Sequence, residues 1–261
     1  MTSWEALVLG VVQGATEFLP VSSSGHLVLG QALMDLEIPG VVFEVAVHVA
    51  TLVSVLFVYR RKAGELITGA LRGEREAWRY LGFLVAATIP AAAVGILFED
   101  RVEALFERPP VVGGAFLVTG ALLWSSRAAL RRDPDRSPGL AAALLIGAAQ
   151  ALALIPGISR SGTTVVAGLW LGIEAEEAAE FSFLMAVPAI AGAAVLQVPR
   201  VVESGMGVGT GPLLWGSVAA ALTGMLAIWT FVGMLRRKAF HWFAPYVWAL
   251  GIGLLGWLYL W

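Results

Sequence analysis

The sequence predicts an all-α polytopic membrane protein built from two repeats of opposite topology. Of its 261 residues, 58% are hydrophobic and only 14% are charged, which is far from the balance of a water-soluble domain. Several apolar stretches approach the roughly 20 residues that a helix needs to cross a bilayer. Two polar interruptions of such stretches recur at an offset of 137 residues, the separation of Gln13 and Gln150. We therefore expect a single membrane domain with an internal duplication.

Composition excludes several other classes of protein. The net charge is −2 and no basic stripe with interleaved aromatic residues occurs, so we expect no nucleic-acid partner. The chain has no cysteine, which excludes disulfides and thiolate metal sites. Its first residues, Met1 to Glu5, lack the basic segment of a cleavable signal peptide. We expect the first apolar segment to stay in the mature protein.

The first repeat is predicted to cover about residues 1–132. It opens with two apolar pieces, within residues 4–35, which are separated by Pro20 and the serines that follow it. Neither piece crosses a bilayer comfortably, so we predict a re-entrant helix pair whose broken backbone lines a protein cavity. Three transmembrane spans are predicted after it, at residues 41–59, 80–98 and 111–130.

The second repeat is predicted to cover about residues 138–261. Its re-entrant pair, residues 139–172, is broken by the segment Pro156–Thr164, with a one-residue shift of the proline relative to the first break. Its three predicted spans are residues 178–198, 213–235 and 240–261. Since a re-entrant pair returns to its own side and three spans do not, the second repeat should be inverted relative to the first.

Lysine and arginine indicate the orientation. They concentrate around residues 60–79, 127–136 and 236–238, and these connections fall on one side of the six-span topology. By the positive-inside rule that side is cytoplasmic. The first break is therefore expected to open outward, and the second re-entrant pair to enter from the cytoplasm.

The first break carries chemically active side chains in apolar surroundings. A charged group at bilayer depth costs about 2.5–3.5 kcal/mol on insertion scales, so Glu17 is a candidate functional residue. Gln13 lies four residues earlier on the same helix face, and its amide oxygen and the carboxylate can converge on Mg²⁺ or Ca²⁺. His26 lies in the first turn of the next short helix, whose N-terminus can receive an anion. Three serines precede that helix and can cap it, Ser22, Ser23 and Ser24.

The second break repeats this pattern and adds a cation. The planar guanidinium of Arg160 suits phosphate oxygens. The hydroxyl donors around it are Ser159, Ser161, Thr163 and Thr164. Phosphoryl transfer needs charge neutralisation and in-line positioning, so the two breaks together indicate a phosphate or pyrophosphate site at membrane depth.

Each candidate also has a structural explanation. Glu17 can be a buried carboxylate bonded only to a neighbouring helix, and Arg160 can be its structural salt-bridge partner. Single serines before a helix are often only caps. Glu44 and His48 share one face of the first span, and either line the cavity or brace the re-entrant pair. Structural roles are favoured for two further residues, Glu180 and Pro188.

The segments Gly10–His26 and Pro156–Thr164 closely resemble the two signature motifs of the bacterial undecaprenyl-pyrophosphate phosphatase family. The resemblance runs nearly end to end and includes Phe43–Val45 and Glu180–Pro188. It implies a multi-pass phosphatase of the bacterial plasma (inner) membrane that hydrolyses undecaprenyl pyrophosphate to undecaprenyl phosphate. That reaction recycles the lipid carrier for cell-wall synthesis and affects bacitracin resistance, and the active site is expected to face the periplasm.

The resemblance also implies roles for individual residues. Glu17 and Gln13 correspond to the acidic motif and Ser23 and His26 to the catalytic pair. The phosphate-binding set consists of Ser159, Arg160, Ser161 and Thr164. Many members have glutamate where this chain has Gln13, which lowers the negative charge available to a divalent cation. Ser24 replaces a threonine seen in relatives and keeps the hydroxyl, and His48 replaces a glutamine that is common among them.

Several points stay open at this level. The attacking group is His26, Ser23 or a water molecule for which His26 is the base. A polyprenyl-phosphate transporter or flippase is the alternative function, since inverted repeats with broken helices are also a transporter architecture. The oligomeric state is open, with a homodimer as one alternative.

Overall fold

The computed structural model of the chain describes residues 1–33, 42–204 and 208–260. These residues form an all-α architecture, which confirms the predicted fold class. The ends of the predicted segments at residues 34–35, 41 and 261 lie outside the described residues. The helices are α1 (Ser3–Phe18), α2 (Ser23–Leu33), α3 (Val42–Val58), α4 (Arg60–Leu71), α5 (Arg75–Leu97), α6 (Glu99–Phe106), α7 (Pro109–Leu130), α8 (Leu140–Leu152), α9 (Arg160–Trp170), α10 (Ala175–Ser204), α11 (Thr210–Arg236) and α12 (Phe243–Leu260), with a 3₁₀ turn at Phe240–Trp242 before the last.

The chain is a polytopic membrane protein. Five of the described helices are long and apolar enough to cross a membrane, namely α5, α7, α10, α11 and α12. Helix α3 is long and apolar enough to cross a membrane only when it is counted together with α4, and the two helices are bent by 81° relative to each other. Helices α4 and α6 lie where the sequence predicts connections, and α5 begins five residues before the apolar stretch. Hydropathy marks only the part of a helix inside the bilayer, so charged helical turns outside it are missed.

Both predicted breaks separate two short helices. Helix α1 ends at Phe18 and α2 begins at Ser23, and the corresponding interruption separates α8 from α9. Left-handed backbone turns the chain in each break, at Ser22 with φ of 69° and at Gly157 with φ of 97°. Glycine adopts this conformation readily, while a serine there is uncommon. The hydroxyl oxygen of Ser159 caps α9 by accepting the Gly162 N–H at 3.1 Å.

Helices of the two repeats exchange packing partners. Helix α1 packs on α11 of the other repeat, and α8 packs on α5 in the same way. Helix α3 contacts α11 as α10 contacts α5, while α7 and α12 contact each other directly. A two-fold relation between the repeats would require this exchange, and the duplication itself stays a prediction. The membrane orientation of the repeats stays a prediction.

Glycine permits the closest of these contacts. A Cβ atom on Gly10 of α1 would collide with the backbone carbonyl of Gly216 in α11. The repeat-equivalent Gly147 of α8 is in the same position against the carbonyl of Ala87 in α5. Small residues let membrane helices approach until their backbones touch, where lipid supplies no hydrophobic driving force between them. The first helix of each break is thus held by backbone contact with the other repeat.

A ladder of phenylalanine rings fixes the end of α1. Phe18 contacts Phe183 of α10 with ring centroids 5.6 Å apart, and Phe183 contacts Phe231 of α11 at 5.0 Å. Phe231 contacts Phe240 with ring centroids 4.9 Å apart, and all four rings are fully buried. Edge-to-face aromatic pairs favour one relative orientation, so the ladder also fixes the neighbouring Glu17.

We expect Gly10→Ala to lower the free energy of unfolding by about 1–3 kcal/mol, because the added methyl group must separate α1 from α11. The measurement is thermal unfolding of the purified protein in detergent. The matched control is Gly82→Ala in α5, where no atom lies within 4 Å of the added Cβ. Alanine favours a helix over glycine by up to about 1 kcal/mol, so the control should unfold no earlier than the parent. Equal stability of the two variants would contradict the close packing.

Candidate active site

The carboxylate of Glu17 is the centre of the site. Its Oε1 accepts a hydrogen bond from Nη2 of Arg160 at 2.6 Å. Its Oε2 accepts from the Ser23 hydroxyl at 2.7 Å and from Nε2 of Gln13 at 3.1 Å. Glu17 is 8% exposed and Gln13 is fully buried. The structure therefore brings the two breaks together in one buried ion pair.

His48 borders this cluster from α3. Its Nε2 lies 3.8 Å from Oε2 of Glu17, and its Nδ1 is hydrogen-bonded to the backbone carbonyl of Glu44 at 2.8 Å. A carbonyl oxygen only accepts, so Nδ1 carries the hydrogen. The ring of His48 therefore lies beside Glu17, at the edge of the cluster. Glu180 instead pairs with Lys62 at 2.9 Å, as a structural residue would.

Hydrogen bonds between hydroxyl side chains and the backbone hold the second break against the first break and against α7. The Ser22 hydroxyl oxygen accepts the N–H of Gly157 at 3.2 Å. Thr119 of α7 accepts the N–H of Ser159 at 3.1 Å and donates to the carbonyl of Gly157 at 2.8 Å. Interrupted backbone is tolerated at membrane depth only where its polar groups find such partners. Thr119 was not predicted, because a single threonine in an apolar span has no distinguishing sequence pattern.

The serine pairs of the two breaks have the same geometry. The hydroxyl oxygens of Ser22 and Ser24 are 3.3 Å apart, and those of Ser159 and Ser161 are also 3.3 Å apart. These pairs occupy equivalent positions in the two repeats. Among the predicted phosphate ligands, Thr164 bonds within the protein, to Ser182 at 2.6 Å.

Three buried polar atoms of the site have no hydrogen-bond partner among the described residues. They are Oε1 of Gln13, Nη1 of Arg160 and Oγ1 of Thr163. Thr163 lies three residues after Arg160 in α9, on the same helix face. Buried polar groups are nearly always bonded, so unpartnered ones indicate where a water molecule or a ligand binds. Two of these groups are donors suited to an anion, and the third is an oxygen suited to a cation.

The imidazole of His26 is bonded through both nitrogens. Its Nδ1 lies 2.8 Å from the Ser22 carbonyl oxygen, and its Nε2 lies 2.8 Å from the Tyr246 hydroxyl. The ring stacks on Tyr246 with centroids 5.7 Å apart and meets Phe116 edge-on at 5.8 Å. Ser23 and His26, which the family resemblance pairs, thus bond to Glu17 and Tyr246 rather than to each other. Tyr246 was not predicted, since nothing in the sequence connects a tyrosine of α12 with the first break.

Two oxygen donors of the site are of the kind that binds a divalent cation. No group of three or more metal-binding side chains (His, Asp or Glu) occurs in the described part of the chain. Glu17 and the free amide oxygen of Gln13 nevertheless supply two hard donors. Mg²⁺ is commonly held by one or two carboxylates together with substrate phosphates. The amide nitrogen of Gln13 faces the carboxylate, however, and both carboxylate oxygens accept hydrogen bonds, so a cation shared by the two residues requires that the amide group turn over.

Comparisons with known proteins match nearly the whole chain. The family described as "Bacitracin resistance protein BacA" matches residues 6–253. An undecaprenyl-diphosphatase of Alcanivorax borkumensis is 42% identical over 99% of this chain and 100% of its own length. The undecaprenyl-diphosphatase of Rubrobacter xylanophilus is 44% identical over 94% of both chains. That of Carboxydothermus hydrogenoformans is 40% identical over 98% of this chain and 97% of its own length.

Proposed function

The chain belongs to the bacitracin resistance protein BacA family, and we propose that the cluster around Glu17 and Arg160 is its active site. The protein is an undecaprenyl-diphosphatase, which hydrolyses undecaprenyl pyrophosphate to undecaprenyl phosphate and inorganic phosphate. This reaction recycles the lipid carrier for cell-wall synthesis, with bacitracin resistance as a consequence. The observation that carries the assignment of the site is the buried Glu17 to Arg160 ion pair with unpartnered donors beside it.

The donors of α9 suit the pyrophosphate group. Arg160 uses only Nη2 for Glu17, so Nη1 remains for a phosphate oxygen, and the Thr163 hydroxyl lies on the same helix face. The N-terminus of α9 also attracts an anion, because it carries the positive end of the helix dipole. Ser159 already bonds one of its N–H groups. Fixed donors and positive charge stabilise the charge that develops on the phosphoryl oxygens. The second break thus provides the binding half of the site.

The first break provides the groups that can move a proton. The Glu17 carboxylate already accepts the hydrogen of the Ser23 hydroxyl, so it can take that proton when the Ser23 oxygen attacks. His26 lies in the next turn and is the second candidate base or nucleophile. The three routes, through Ser23, His26 or water, all place the attacking atom in the first break, opposite the phosphate donors of the second.

We propose that Mg²⁺ or Ca²⁺ assists this site, held by Glu17 and Gln13 together with substrate oxygens. The bound cation would supply positive charge that neutralises the pyrophosphate. Support comes from the unpartnered oxygen of Gln13 beside the carboxylate. Both breaks belong to one chain, so a homodimer is not needed to complete the site.

We propose that the protein lies in the bacterial inner membrane with this site open to the periplasm. The distribution of basic residues supports that orientation. The transporter alternative is not favoured, because the relatives that match almost the whole chain are named for hydrolysis. A transporter also gains little from a carboxylate that accepts a hydrogen bond from a hydroxyl group beside the phosphate donors.

We expect Glu17→Gln and Arg160→Lys each to lower kcat for phosphate release from undecaprenyl pyrophosphate by at least about 10²-fold. Removing one group that stabilises the transition state typically has an effect of this size. Both substitutions keep the approximate size of the side chain. The matched control is Arg236→Lys, at an exposed ion pair with Glu176, which should stay within about twofold of the parent. Parental rates for both site variants would show that the active site lies elsewhere.

We expect a chelator to abolish phosphate release and added Mg²⁺ or Ca²⁺ to restore it. Since affinity for a hard cation rises with the number of carboxylate ligands, Gln13→Glu should lower the metal concentration needed for half-maximal activity. The measurement is the metal titration of activity after chelation, for the parent and the variant. Full activity of the chelated parent would exclude the cation, independently of the roles of Glu17 and Arg160.

Single cysteines test the orientation, because the chain has no cysteine of its own. We expect a membrane-impermeant thiol reagent to label Glu107→Cys on intact cells, since this exposed position follows α6 on the outer side. Arg72→Cys, exposed after α4, should be labelled only after lysis. The reverse pattern would place the site mouth on the cytoplasmic side.

A further inference from the structure

Both ring nitrogens of His26 are occupied in the described structure. The Ser22 carbonyl can only accept a hydrogen bond, so Nδ1 of His26 carries a hydrogen. In the neutral ring Nε2 then holds the lone pair, and it accepts the hydrogen of the Tyr246 hydroxyl at 2.8 Å. The nitrogen that could act as a base or a nucleophile is therefore covered.

This contact restricts what His26 can do. An imidazole nitrogen has one lone pair, so Nε2 cannot accept a proton from water while it accepts from Tyr246. It cannot attack phosphorus for the same reason. Nδ1 is not an alternative, since it faces a backbone carbonyl of its own helical turn. Chemistry at His26 therefore requires that the Tyr246 hydroxyl leave Nε2.

We propose that Tyr246 is a cap on His26 that the lipid substrate displaces. The proposal rests on the proposed function, in which His26 takes part in phosphoryl transfer. Tyr246 belongs to α12, and its side chain is 48% exposed, so its ring lies where the site meets the outside of the helix bundle. The isoprenyl chain of a substrate must leave the site toward the bilayer, and this edge is a place for it to pass.

The cap is held by few contacts. One hydrogen bond and one stacking contact connect Tyr246 to His26, while Phe116 supports the other side of the imidazole. Because Tyr246 is half exposed, its released hydroxyl can donate to water at this edge, which replaces the hydrogen bond that it loses. Displacement therefore exchanges one acceptor for another and leaves Nε2 free beside the substrate.

The test measures the reactivity of Nε2 directly. Diethyl pyrocarbonate acylates an unprotonated imidazole nitrogen, and mass spectrometry of peptides reports the rate for each histidine of the purified protein without substrate. Tyr246→Phe keeps the stacked ring and removes the hydroxyl. Since a typical neutral hydrogen bond changes an equilibrium about 3- to 10-fold, acylation of His26 should accelerate by that factor. His48 is the internal reference, and Tyr259→Phe, exposed in the same helix, is the control variant.

Phosphate release by the same variants completes the test. Because the cap must leave before reaction, Tyr246→Phe should keep kcat within about threefold of the parent. An unchanged acylation rate at His26 overturns the proposal. Equal acceleration at His48 overturns it also, because it shows general loosening. A fall in kcat beyond about tenfold overturns it in favour of a direct chemical role for Tyr246. Acylation needs no turnover, so failure of the proposed function would appear separately, as parental activity of the Glu17 and Arg160 variants.

Discussion

The ion pair between Glu17 and Arg160 is the constraint that the rest of the structure satisfies. A single buried charge at membrane depth is costly, and each of these two is tolerable because the other neutralises it. The partners lie in different repeats, so the pair forms only when both breaks meet. The glycine contact of α1 with α11, the ring ladder from Phe18 and the Thr119 hydrogen bonds all fix the position of a break. The packing of the helices and the ion pair of the site therefore stabilise each other.

The two breaks share several residues at equivalent positions but carry different charged groups. The paired serines and the glutamine are present in both breaks, whereas the charged groups differ. Leu154 stands at the position equivalent to Glu17, and Ser23 stands at the position equivalent to Arg160. Two identical breaks would place like charges against each other. One anionic and one cationic break instead attract, which favours the arrangement in which the two breaks meet.

Sequence patterns predict what is local and miss what depends on packing between distant segments. The apolar spans and both breaks were predicted, because length, proline and polar residues in apolar surroundings have direct physical consequences. The family resemblance supplied the activity. Helix α4 was missed because charged residues outside the bilayer leave no hydropathy signal. Tyr246 and Thr119 were missed because their importance comes from contacts with segments far away in the sequence, which no periodicity records.

Broken helices suit a substrate that is half lipid. An isoprenyl chain remains in the bilayer while its pyrophosphate must reach fixed donors, so those donors have to be buried close to apolar surface. A continuous span places its free N–H groups at the membrane surface, whereas a short second helix begins inside the protein, as α9 does at Arg160. The cost is unpaired backbone at that depth, which the hydrogen bonds of Ser22 and Thr119 offset. The polar breaks therefore allow a membrane helix bundle to hold charged donors close to apolar surface, as the hydrolysis of a lipid headgroup requires.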